Sequence, residues 1–160
     1  MIEVPHLRQR TAWSCGPACV RMILAFYGGA ECEDDLIDEL GASAKAGTSP
    51  DAIERAFRKR GFSCREIVNL HTLKSARHPV IVDYQDHGPR GTDYAAVWDH
   101  GHYAVVVNAD RQRITLADPS SKRPRRHLKT ADFLARWHDI GFGLKPKFYV
   151  QWGLSVGPKK

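Results

Sequence analysis

A cysteine, a histidine and an aspartate, in that chain order, are the residues of this sequence best equipped for covalent chemistry. Cys15 lies in the stretch Gln-Arg-Thr-Ala-Trp-Ser-Cys-Gly-Pro from Gln9 to Pro17, directly before the apolar segment Ala18 to Tyr27. A helix starting at that cysteine would set its thiol among unpaired backbone N–H groups at the positive end of the helix dipole. Both features favour the thiolate, the nucleophilic form, and both can hold an oxyanion. Free cysteine is among the most buried residue types, so the position alone is weak evidence. It gains weight only if the chain supplies a base and a group to orient that base.

The stretch His102 to Asp118 supplies both. His102 to Asn108 and Arg113 to Asp118 read as strands joined by the polar segment Ala109 to Gln112, the pattern of an antiparallel hairpin. A three-residue turn centred on Asp110 pairs Val106 with Ile114, Ala104 with Leu116 and His102 with Asp118. Directly opposed residues have Cβ atoms about 4.5–5.5 Å apart, near enough for an imidazole to reach a carboxylate. A two-residue turn would put His102 opposite Pro119 instead, so the pairing hangs on the register. The order Cys, His, Asp is the one in which a thiolate attacks, an imidazole moves protons and a third group orients the imidazole.

Helices must position the cysteine and strands the histidine. The first helix is expected from about Cys15 to Tyr27, with Ser14 as N-cap and Gly28-Gly29 as the stop. Arg21 is its one charge between Cys19 and Tyr27, which marks a buried central helix with Cys19 in the core. A second helix is expected over Glu33 to Leu40, its first turn acidic and Gly41 following its last. A third follows Ser49-Pro50, with the apolar stripe Ala52, Ile53, Ala56 and Phe57. Strands are expected at Phe62 to Val68 and Pro79 to Tyr84, with a helical turn around Thr72 to Ala76 and a surface loop from Gln85 to Asp99. A last helix capped by Thr130 should run to about His138, and a final strand should cover Lys147 to Trp152. Helices followed by a mostly antiparallel sheet make an α+β fold of two packed layers, with the first helix against the sheet.

At 160 residues the chain is expected to form one domain, residues 1–160, with a core that needs no staples. Charged residues make up 26% and hydrophobic ones 42%, a soluble globular balance that argues against a disordered chain. The four cysteines, Cys15, Cys19, Cys32 and Cys64, have no framework spacing, which favours reduced thiols and a cytoplasmic setting. Neither a signal peptide nor a membrane-spanning run is expected.

The motifs then resemble a known family. Val-Pro-His-Leu-Arg-Gln with Cys-Gly-Pro-Ala, Gly-Thr-Ser-Pro before a helix, Gly-His-Tyr-Ala-Val-Val-Val and Ala-Asp-Pro are similar to the papain-like cysteine peptidases that process bacteriocins. In that family the domain usually stands at the N-terminus of an export transporter and removes leader peptides after a double glycine. The likeness runs from Val4 to about Trp152 and implies a papain-like fold. It also implies Cys15 as nucleophile, His102 as base, Asp118 as orienting carboxylate and the Gln9 amide as oxyanion-hole donor. A peptide or protein substrate follows, with no cofactor.

Trp13 and Gly16 beside the cysteine, and Trp98, His100 and Gly101 before the base, are candidates for contacting substrate. Asp99, His100 and His102 could suggest a metal site, but no CxxC or HExxH pattern accompanies them, and no metal is expected. The net charge of +6 permits an acidic partner. The basic run Lys122 to Lys129 could neutralise phosphates, yet it holds no interleaved aromatic and reads more simply as a solvated loop. The leading expectation is a cysteine peptidase. An amidase, transpeptidase or isopeptide deconjugase would use the same triad, and a catalytically silent peptide-binding domain is the rival outside enzymes.

Overall fold

In a computed structural model, residues 1–141 and 145–159 are described, and they form five helices and eight strands. Helices α1 (Cys15–Phe26), α2 (Glu33–Leu40) and α3 (Pro50–Lys59) come first, followed by strand β1 (Phe62–Ile67) and the short helix α4 (Leu70–Lys74). Strands β2 (Val80–Gln85), β3 (Gly101–Ala109), β4 (Arg113–Ala117) and β5 (Arg126–Lys129) follow, then helix α5 (Thr130–Arg136). The chain ends with β6 (His138–Gly141), β7 (Lys147–Val150) and β8 (Gly153–Lys159). Six strands make one antiparallel sheet in the order β1-β8-β2-β3-β4-β5, and β6 with β7 makes a separate ribbon.

The α+β class and the helix against the sheet are as the sequence predicts, but the second face of the sheet is also covered. On one face Cys19, Val20, Ile23, Ile53 and Phe57 from α1 and α3 pack on Ile81, Val105, Val107 and Leu154. On the other, Leu73 of α4 and Phe133 and Trp137 of the α5 region pack on Val80, Val82, Tyr84, Ala104, Val106 and Leu116. Every residue of β2 is buried, as are His102 to Val107 of β3. Near-continuous apolar strands such as Val80 to Tyr84 belong to sheets buried on both sides. Among the described residues no helix is long and apolar enough to cross a membrane.

Four local expectations need correcting. Ser14 occupies the cap position of α1 but does not cap with its hydroxyl, which donates to Glu33 Oε1 at 2.7 Å instead. Thr130 is the first residue of α5 rather than its cap; its hydroxyl donates to the Asp110 carbonyl at 3.0 Å. The basic run is partly structural, since Arg126 to Lys129 form edge strand β5 and Arg125 donates to the Val4 carbonyl at 2.9 Å. The C-terminal strand is also split: β7 ends at Val150, and β8 inserts between β1 and β2.

Candidate active site

The β3–β4 hairpin does not adopt the simple register. Asp110 Oδ1 accepts from the backbone N–H groups of Gln112 and Arg113, both at 2.8 Å, which widens the connection so that Ala109 pairs with Ile114. That register, continued, would turn Asp118 to the opposite face from His102. A bulge between Val106 and Asn108 absorbs one residue, and Val106 pairs with Leu116. Asp118 therefore shares the His102 face as a diagonal neighbour rather than the directly opposed one that the sequence predicts. The contact is still made: His102 Nε2 lies 2.8 Å from Asp118 Oδ1.

Asp118 is fully buried and surrounded by donors. Oδ1 also accepts from the Ser120 backbone N–H at 2.9 Å and the Ser120 hydroxyl at 2.7 Å. Oδ2 accepts from Arg126 Nη1 at 2.9 Å, and Arg126 is itself tied to Asp86. Burial alone would raise the Asp118 carboxyl. The His102 bond and charge, with Ser120 and Arg126, outweigh it and hold Asp118 well below the usual carboxylate range. Arg126 faces Leu116 across the β4–β5 ladder, which sets it on the same side of the sheet as Asp118 and His102.

Cys15 opens α1 and is half-buried. Burial pushes its thiol up, but a hydrogen bond and the charge of His102, with the backbone N–H groups of Tyr103 and Gly16, bring the net shift below the ordinary thiol value. Burial pushes His102 down; its bonds to Asp118 and Cys15 reverse that and raise it to about 10. With Nε2 committed to Asp118, Nδ1 is the ring nitrogen left for the thiol. Both shifts move the proton from sulfur to imidazole. Cys19, one turn along the helix, is fully buried, and its thiol is pushed well up by burial and by the negative charge of Cys15, so the low-pKa environment belongs to Cys15.

The N-terminal motif straps across the other end of this arrangement. The Ile2 N–H donates to the Val107 carbonyl at 2.8 Å and the Gln9 N–H to the Pro119 carbonyl at 2.9 Å. His6 Nε2 donates to the Asp118 carbonyl at 2.8 Å. Gln9 is thereby fixed beside the Asp118–Pro119 backbone. Its side-chain amide gives one proton to the Thr11 carbonyl at 2.7 Å, leaving the second free, because the NH₂ group carries two.

A cleft of about 470 Å³ opens on Cys15 and is lined also by Thr48, Asp83, Trp98, Gly101 and Tyr103. Of the expected contact residues, Trp98 and Gly101 therefore stand at the cleft, whereas Trp13, Gly16 and His100 lie outside its lining. Gly16 has a steric reason for its identity: a Cβ there would sit 2.6 Å from Thr48 Oγ1. Trp98 packs at a tilt against His138, with ring centroids 4.3 Å apart. Asp99 and His100 are 3.7 Å apart and do not gather with His102, which turns to Asp118. Among the described residues, the ligand atoms that do cluster are those of His87, His102 and Asp118, within 4.8 Å of one another. They already hydrogen-bond internally and through Ser120.

Sequence reasoning missed Arg126, His87 and the cleft carboxyls Asp83 and Asp139. Arg126 was hidden among solvent-facing basic residues. Asp83 left a usable signal, as the one carboxylate inside the apolar run Val80 to Tyr84.

Comparison with known proteins gives three kinds of likeness. A family model described as the peptidase C39 family matches residues 3–148. An uncharacterized protein of Methanothermobacter marburgensis is 30% identical over 120 residues, 74% of this chain and 74% of that protein. The lactococcin-G-processing and transport ATP-binding protein LagD of Lactococcus lactis is 27% identical over 140 residues, 87% of this chain but 18% of the transporter. The double glycine motif protease of an AMS/PCAT transporter, solved in complex with its leader peptide, superposes with a TM-score of 0.73 at 18% identity. That superposition covers 99% of this chain and 94% of the protease, and it shares the fold.

Proposed function

The chain belongs to the peptidase C39 family, and from that premise we propose that it is a cysteine peptidase working through Cys15, His102, Asp118 and Gln9. The observation that carries this reading is the His102–Asp118 bond beside Cys15, an environment in which the thiol is lowered and the imidazole raised to about 10. At neutral pH such a pair rests as thiolate and imidazolium, the form that attacks without first losing a proton.

In the proposed cycle Cys15 Sγ bonds to the scissile carbonyl carbon, and the carbonyl π electrons move to oxygen. The Cys15 backbone N–H and the free amide proton of Gln9 receive that oxyanion. Collapse breaks the C–N bond, and His102 delivers its proton to the leaving amine. The neutral imidazole then takes a proton from water, whose hydroxide displaces the thiolate from the acyl-enzyme. Asp118 holds the ring in one tautomer throughout and balances the imidazolium. Arg126 acts as a positioning residue by keeping Asp118 ionised.

The substrate class is a peptide or protein, as for the relatives with printed activities, and the double-glycine leader is the first candidate. A reducing compartment such as the cytoplasm would keep the Cys15 thiolate free. The test is a peptide-library cleavage screen of the wild-type protein and Cys15→Ala, with products identified by mass. Hydrolysed peptides from the wild type and none from Cys15→Ala are expected. Undiminished cleavage by Cys15→Ala would remove the proposal, and products joined to an added amine would redirect it to a transpeptidase.

A further inference from the structure

The cleft beside Cys15 contains a second set of buried polar groups that the proposed cycle leaves unused. Asp83 is 3% exposed and stands opposite Tyr103 on the β2–β3 ladder. Its Oδ1 has no hydrogen-bond partner among the described residues. The neighbouring Tyr103 hydroxyl donates to the Thr48 carbonyl at 2.8 Å. Thr48 is itself buried, and its Oγ1 is a second buried atom without a partner among the described residues.

Asp139 on β6 completes the group. It accepts from Gln85 Nε2 at 2.8 Å and faces Asp83. Gly101 admits it, since a Cβ at that position would collide with the Asp139 carboxylate. Asp83, Asp139, Thr48 and Cys15 all line the same cleft. Burial, then the Asp139 carboxyl, pushes Asp83 well above the usual range, so Asp83 retains its proton until a positive charge stands beside it.

Buried polar atoms are normally matched, and this group offers acceptors in excess of donors. An alkylammonium brings three N–H donors and a guanidinium five, and either would displace the retained proton. Among the described residues, Asp83 and Asp139 do not gather with a third His, Cys, Asp or Glu into a metal-ligating group, whereas hydrogen-bond donors need no such set. Lys45, Lys145 and Lys147 at the mouth are exposed, so solvent screens them more than it screens the buried pair.

We propose that Asp83, Asp139 and Thr48 form a subsite for a positively charged group of the substrate, held in the same cleft as the bond attacked by Cys15. The charge is either a lysine or arginine side chain near that bond or the free amino terminus of a short peptide. The inference rests on the peptidase reading above but makes a separate claim about recognition.

The test uses binding, which does not require turnover. Paired peptide sets carrying Lys or its neutral counterpart Gln at each position, with free or acetylated N-termini, are titrated against Cys15→Ala by fluorescence anisotropy. One charged register is expected to bind at least tenfold tighter than its neutral partner, with the ratio falling toward one in Cys15→Ala/Asp139→Asn. Cys15→Ala/Asp83→Asn, which conserves shape at the buried position, repeats the test from the other carboxyl. Loss of the preference on acetylation assigns the site to an amino terminus; retention assigns it to a side chain. Equal affinity in every register, a preference that survives both Asn changes, or no binding of any peptide would overturn the subsite. Cleavage of the same peptides by the wild type separates the two claims. Neutral and charged peptides cut alike would remove the subsite and keep the peptidase; charge-selective binding without any cleavage would do the reverse.

Discussion

Two faces of one strand pair flank the thiol and treat the same chemical group in opposite ways. On the β2–β3 ladder Tyr84 stands opposite His102 and Asp83 opposite Tyr103, so sequence neighbours are sent to opposite sides of the sheet. On the His102 side, Asp118 receives four hydrogen bonds, from His102, Arg126 and twice from Ser120. On the Asp83 side, Oδ1 receives none among the described residues. Both carboxyls are buried, yet one is held well below the usual range and the other well above it. Burial raises both, and only Asp118 has the donors and positive charge that outweigh it. The donors decide which of the two stays ionised, and a single α1 terminus has a charged group on one side and a proton-holding carboxyl on the other.

Breaking the donor-rich side should cost most. Asp118→Asn keeps one carbonyl acceptor but removes the negative charge that balances His102 and Arg126, so kcat/KM should fall by about 10²–10⁴. Removing one partner of a buried ion pair also costs stability, on the order of 3–5 kcal/mol, read by denaturant melts. Asp118 is lowered in the folded state, so the stability it provides is present above the ordinary carboxylate value and disappears as pH falls through the folded one. The deficit of the variant should accordingly shrink in acid.

Gln9→Ala should lower kcat by about 10²–10³, the usual cost of one oxyanion donor, with the fold intact by circular dichroism. A smaller and more specific effect concerns pH. His102 is raised to about 10, so the alkaline limb of kcat/KM should fall near that value as the imidazolium loses its proton. A limb near the ordinary histidine value would contradict the paired state.

The smallest effect tests the donor-poor side. The folded-state value of Asp83 is raised, so its contribution to stability declines as pH rises above the ordinary carboxylate value toward the folded one. Asp139, Tyr103 and Cys15 are the titratable groups around it. Asp83→Asn removes that penalty, and its Tm relative to wild type should move upward between pH 5 and pH 8. A difference that is flat with pH would mean that Asp83 holds no extra proton.

Much of the donor-rich side was legible in the chain. Cys15 before an almost uncharged helix, and His102 and Asp118 on two strands with a short polar connection, fix the participants. Their pairing was misjudged because a bulge at Val107 and a turn organised by the Asp110 carboxylate are not written in the apolar alternation. Arg126 escaped notice for a related reason: a run of basic residues looks the same whether one member points inward from an edge strand or all are solvated. The donor-poor side was nearly invisible, because Asp83 and Asp139 are more than fifty residues apart and meet only when the β6–β7 ribbon lies against β2 and β3. Pairings made by long-range packing leave single residues as their only trace.

The central claim is that Cys15 rests as a thiolate because His102 holds its proton. Reaction with iodoacetamide at pH 6.5, followed residue by residue by mass spectrometry, tests it without any assumption about substrate. Cys15 should be labelled at least tenfold faster than the exposed Cys32, and His102→Ala should abolish that advantage while leaving Cys32 unchanged. Labelling of Cys15 no faster than Cys32, or an equal advantage in His102→Ala, would contradict the account.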